Sequence, residues 1–100
     1  MKYVLISADN SPSVYFVPDV VADNLRSYCI EFCDKWLHDS PYAEKYRTNG
    51  GVCYDETDFI EYLNTWIFPN EKSVLIEKLD WVQSKRKIPK KYRKYEWFNF

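Results

Sequence analysis

The side chains of this 100-residue chain best suited to chemistry are three cysteines and a single histidine. Cys29 and Cys33 stand at i and i+4 of a helical pattern, His38 follows, and Cys53 could return from a later strand, which together would supply the four ligands of a tetrahedral zinc site. The two-residue gap of a zinc knuckle is missing, however, and Cys29 falls within an apolar stripe, so the cysteines read first as reduced core thiols. A nucleophile pair would need Cys33 or Cys53 within hydrogen-bond reach of His38 and an orienting third group. The sequence offers neither a strained turn to hold the thiol nor a glycine-built oxyanion loop. Asp55, Glu56 and Asp58 could exchange protons, but a helix cap accounts for them, and Gly50-Gly51 carries no Lys-Ser or Lys-Thr of a phosphate cradle. No catalytic residue and no cofactor is therefore expected, and the protein reads as non-enzymatic.

Recognition is the other chemistry on offer. Lys85, Arg86, Lys87, Lys90, Lys91, Arg93 and Lys94 are interleaved with Tyr92 and followed by Tyr95 and Trp97, a mixture in which cations would hold phosphates and rings would stack on bases. The rest of the chain opposes that use. Residues 1–79 carry 7 basic and 13 acidic side chains, a net of −6, whereas residues 80–100 carry 7 and 2, a net of +5, giving the formal −1. A pI of about 5.8 is far from the values above about 9 typical of nucleic-acid-binding domains. The basic tail can equally lie against Asp23, Glu31 and Asp34, the acidic face of the first helix.

These residues are positioned by a short series of elements. Tyr3 to Ser7 and Ser13 to Val17 are β-rich runs separated by the turn formers Ala8 to Pro12, which predicts a hairpin. From Val20 to Leu37, a period of about 100° per residue puts Val21, Leu25, Tyr28, Cys29, Phe32 and Trp36 on one stripe, which predicts an amphipathic helix capped by Asp19 and ended near Pro41. Arg26 projects toward the apolar arc of that helix. A short helical turn is expected over Tyr42 to Arg47, a loop tip at Thr48 to Gly51 and a short strand at Val52 to Tyr54. A second helix is expected from Glu56 to Phe68, with Asp55 and Asp58 as a capping box and Phe59, Ile60, Leu63, Trp66 and Ile67 on one face. The run from Ser73 through Val74, Leu75 and Ile76 to Trp81 and Val82 favours a strand, and Gln83 to Phe100 a tail that docks by its aromatics.

The expected fold is two-layer α+β, a short antiparallel sheet of the N-terminal hairpin plus one or two later strands packed against two amphipathic helices. Residues 1–84 form a single domain in this reading and residues 85–100 a basic-aromatic tail docked on it. No apolar run is long enough to span a membrane, the opening residues read as a strand, and the odd cysteine count suits a reducing compartment, so a cytoplasmic location is expected.

The strings Val14-Tyr15-Phe16-Val17-Pro18-Asp19, Tyr62-Leu63-Asn64-Thr65-Trp66-Ile67-Phe68-Pro69 and Phe98-Asn99-Phe100 resemble a group of small bacterial proteins, with similarity over nearly the whole chain. That group carries no assigned activity, so the resemblance implies a bacterial cytosolic origin and assigns no functional residue.

With 19% aromatic residues, the chain has more rings than a core of this size is expected to hide. The leading expectation is a protein-binding module, acting on a protein partner or by homodimerisation through Asp23, Glu31, Asp34, Tyr92, Tyr95 and Trp97. An immunity-like or antitoxin-like inhibitor with an acidic helix face is one form of it. The alternatives are a nucleic-acid accessory protein using the basic tail and a small metal or thiol protein using Cys29, Cys33, His38 and Cys53. A membrane partner is not expected.

Overall fold

The two opening β-rich runs pair as expected: β1 (Lys2–Ser7) and β2 (Ser13–Val17) are antiparallel, with Val4 opposite Tyr15 and Leu5 opposite Val14. The computed structural model describes residues 1–9, 11–79 and 88–100. Asn10 of the expected turn, the extension of the late strand through Trp81 and Val82, the boundary after residue 84, and Lys85, Arg86 and Lys87 lie outside the described residues.

The first helix is present but interrupted. α1 (Asp19–Asp23) stops at Asn24, where φ −134° leaves the helical region and the side-chain Nδ2 donates to the Val20 carbonyl at 2.9 Å. A short amide competes in this way with the helical ladder. α2 (Leu25–Ile30) runs on into a wide π turn, Glu31–Trp36, and then into α3 (Leu37–Asp39). Asp19 does not cap. Pro18 holds the cap position without a side-chain bond, and the Asp19 carboxylate pairs with the Met1 amine at 2.7 Å. Ser40 is extended, and its hydroxyl accepts from the Tyr42 N–H at 3.1 Å, opening the 3₁₀ turn Pro41–Tyr46.

β3 (Arg47–Thr48) and β4 (Gly51–Val52) flank the glycine turn and form a small sheet of their own, with Gly51 at φ 136° where an L side chain would be strained. α4 (Glu56–Tyr62) carries the expected capping box. Asp55 accepts from the N–H groups of Thr57 and Asp58 at 2.9 and 3.2 Å, and Asp58 accepts from that of Asp55 at 3.0 Å. A second π turn, Leu63–Ile67, follows and closes with a 2.7 Å bond from the Phe68 N–H to the Leu63 carbonyl. Asn64 then grips the Ser73 backbone through both its amide atoms, at 2.7 and 3.0 Å, and so fixes where β5 (Val74–Lys78) begins.

The main sheet has the order β5-β2-β1, then β6 (Trp97–Asn99), a strand where the sequence reading has only a tail. All neighbours are antiparallel except β6, which runs parallel to β1 with Leu5 opposite Trp97. The α+β class holds with this one parallel edge. The parallel sense follows from the route of the chain: Ile88 and Tyr92 pack on the face of the sheet away from the helices before β6 re-enters it. Val4, Ile6, Tyr15 and Val17 face the helices and meet Val21, Leu25, Cys29, Phe32, Phe59 and Leu63, whereas Leu5 and Val14 point the other way. Both faces of β1 are thus covered, which is why its apolar run shows little alternation.

Candidate functional site

The rings of Trp36, Tyr54, Phe59, Tyr62 and Phe100 all meet Phe32. This fully buried residue lies 5.1 Å from Tyr62 between ring centroids, 5.5 Å from both Phe59 and Tyr54, and 6.0 Å from Phe100. From there a seam between the two helices climbs to the surface. Trp36 meets Tyr62 at 4.9 Å, and beyond them Tyr42 stacks on Trp66 at 4.3 Å. These last two rings are 63% and 45% exposed. Two hollows share Glu31, one between the helices and one along the first of them. One, of about 380 Å³, is lined by Ser27, Tyr28, Glu31, Tyr62 and Ile67. The other, of about 280 Å³, is lined by Glu31, Lys35, Trp36, Asp39 and Ser40. The Tyr62 hydroxyl is pushed above its ordinary pKa, first by burial and then by the Glu31 charge.

Trp66 and Ile67 belong to the apolar face of the second helix in the sequence reading, yet both are exposed. The π turn after Tyr62 changes the angular phase of the helix, so residues beyond it leave the stripe on which an ideal period places them. Tyr42 is absent from the expected site. A large ring in a turn opened by Ser40-Pro41 was its only available signal.

The residues expected to meet a protein partner divide between two sides of the molecule. Glu31 and Asp34 are exposed on the helical side. Asp23 pairs with Lys2 at 2.7 Å and shares with Tyr95 a groove of about 360 Å³ that also involves Tyr3, Phe16, Lys94 and Glu96. Tyr92 is buried on the outer sheet face and donates its hydroxyl to the Glu77 carboxylate. Tyr95 is half-buried with its ring 5.5 Å from that of Tyr3, and the half-buried Trp97 donates its indole N–H to the Ser7 hydroxyl at 2.9 Å. Lys90, Lys91, Arg93 and Lys94 are exposed nearby. Lys91 lies 3.9 Å from Glu77, Lys94 sits 5.3 Å over the Tyr95 ring, and Arg93 donates to the Ile88 carbonyl at 2.7 Å.

The thiol candidates are not brought together. Cys29 is buried, Cys33 half-buried and Cys53 exposed, His38 is exposed on α3, and among the described residues no group of three or more metal-binding side chains forms. Burial pushes both the Cys29 and the Cys33 thiol upward, away from the thiolate that a nucleophile or metal ligand requires.

Edge strand β5 leaves Val74, Leu75 and Ile76 exposed, but its pairing with β2 is irregular between Val14 and Tyr15, and Glu77 and Lys78 complete the strand. A bulge and charges are the usual means of discouraging edge-to-edge pairing. Among the described residues no helix is long and apolar enough to cross a membrane. No protein-family model, no curated protein and no solved structure matches the chain.

Proposed function

We propose that the protein is a small non-enzymatic protein-binding module of the bacterial cytosol, which grips its partner with the helical face centred on Tyr42, Trp66, Ile67 and Glu31. The observation that carries this reading is the exposed Tyr42–Trp66 stack, whose neighbour in sequence, Ile67, lines a hollow with Tyr28, Glu31 and Tyr62. Aromatic anchors around a concave, partly apolar centre are the pattern of interface hot spots. Glu31 and Asp39, with Lys35 between them, line one hollow beside Trp36 and leave it net acidic, which suits an inhibitor-like role toward a basic protein.

Replacing Tyr42 and Trp66 together by Ala tests the reading. The double variant is expected to keep its circular dichroism spectrum and to lose a complex that the unaltered protein forms with an identified partner, or with a second copy in sedimentation. Retention of that complex by the folded variant would contradict the proposal.

One observation favours a second reading, a nucleic-acid accessory role. Tyr3, Phe16, Tyr95 and Lys94 share one groove, so rings for stacking and a cation for phosphate are close together. Asp23 and Glu96 line the same groove and offset Lys2 and Lys94, which keeps this reading second. A gel shift with mixed DNA and RNA separates the two: the protein-binding reading expects no shift at low salt, and a salt-sensitive shift lost on Lys94→Glu would reverse the preference.

A further inference from the structure

We infer that the hollow between the helices receives an arginine side chain from a basic, partly apolar segment of a partner protein; this rests on the reading of the helical face given above. The lining determines the chemistry. The half-buried Tyr28 supplies a ring and the exposed Ile67 an apolar wall beside the buried Tyr62, while Ser27 adds a hydroxyl and Glu31 the only charge among the lining residues, so the hollow of about 380 Å³ is lined by an anion and no cation. The neighbouring hollow adds Trp36 and a second acid, Asp39, against one base, Lys35. Among the described residues no ion pair neutralises Glu31 or Asp39, in contrast to Asp23 with Lys2, Glu61 with Lys45 and Glu77 with Lys91.

A guanidinium is weakly hydrated and planar, stacks on aromatic faces and bonds a carboxylate, while its alkyl stem lies along apolar surface. An acidic group on the partner would meet Glu31 with like charge, and a purely apolar one would leave that carboxylate desolvated and unpaired. The volume lies near the low end of the roughly 300–1,000 Å³ usual for small-molecule sites, which suits a side chain carried on a larger surface.

The test uses the full chain and a synthetic peptide repeating Gly-Arg-Leu, with a Gly-Glu-Leu peptide as comparison, followed by calorimetry and by amide chemical shifts. The Arg peptide is expected to bind and to shift the resonances of Tyr28, Glu31, Tyr62 and Ile67. Affinity should fall about tenfold in Glu31→Gln, the loss expected for one charge-assisted contact, and stay unchanged in Glu71→Gln, an exposed acid of the turn before β5 that lines neither hollow. Equal binding of the Glu peptide, no binding of the Arg peptide, or an unaltered affinity in Glu31→Gln would overturn the inference. If the Tyr42 and Trp66 double variant still loses its partner in any of those cases, the arginine falls while the helical surface stands.

Discussion

The two faces of the sheet are filled in different ways. On the helical side Val4, Ile6, Tyr15 and Val17 sit under a continuous apolar and aromatic mass in which Phe32, Phe59 and Leu63 are fully buried. On the outer side, among the described residues, Leu5 and Val14 cluster with Ile88 and Tyr92, with Leu79, Tyr95 and Trp97 packed against them. The helical side is built mainly by residues between Val21 and Leu63, with Phe98 and Phe100 packed against it; the outer side is closed by Ile88 and Tyr92 from the C-terminal part of the chain. The difference shows why the terminal aromatics, which look like an interaction surface in the sequence, are largely engaged in packing. The two most exposed rings, Tyr42 and Trp66, belong to the helical elements, whereas Tyr3, the other exposed ring among the described residues, packs on Phe16 and Tyr95.

Mutations should make that difference measurable. The largest effect is expected for Phe32→Ala, which removes the ring against which Tyr62, Phe59, Tyr54 and Phe100 pack; a loss of about 3–5 kcal/mol in denaturant unfolding would leave little of a domain this small. Ile88→Ala, in the smaller outer cluster, should cost about 2 kcal/mol, since that thinner covering can collapse onto the space left. If Ile88→Ala costs as much as Phe32→Ala, the two faces form one cooperative core and the contrast fails.

Asp55→Ala should cost about 1 kcal/mol through loss of the cap on α4. Its pH dependence has a definite sign. Bonds from Thr57 hold the Asp55 carboxyl below its ordinary 3.8, so its contribution to stability is full above that value and disappears as the pH falls through the depressed folded value. Asp58 is pushed the other way by burial, and its ionisation above the ordinary range opposes stability. Asp55→Asn, which keeps an acceptor at the cap, should therefore retain most of the stability at neutral pH and lose the acid-sensitive part, as read from melting temperatures across the acid range.

Much of this fold is legible in local sequence. Asp55 with Asp58, the turn glycines, Pro41 and the opening β-rich runs act through neighbours a few residues away, and each element they specify is present. The interruption at Asn24 and the π turn at Leu63–Ile67 are less legible, because an apolar period tolerates a break on its polar side and fixes no local pitch. β6 could not be read from Trp97 to Asn99 alone, since its pairing with β1 joins residues some ninety positions apart and depends on how the intervening chain crosses the sheet. The candidate site divides in the same way. Exposed acids such as Glu31 and Asp34 follow from helical period, whereas the exposure of Trp66 depends on the changed phase of its helix, and its stacking on Tyr42 joins two segments distant in sequence.

Site-specific photo-cross-linking distinguishes the helical seam from the outer sheet face as the surface that meets a partner. A photoreactive side chain is placed at Trp66 or, on the outer face, at Lys94, and each adduct is identified by mass spectrometry and rebuilt from purified components. A discrete protein adduct from position 66, reduced by Glu31→Gln and absent from position 94, is the predicted result; an adduct from position 94 with none from 66 would contradict the account.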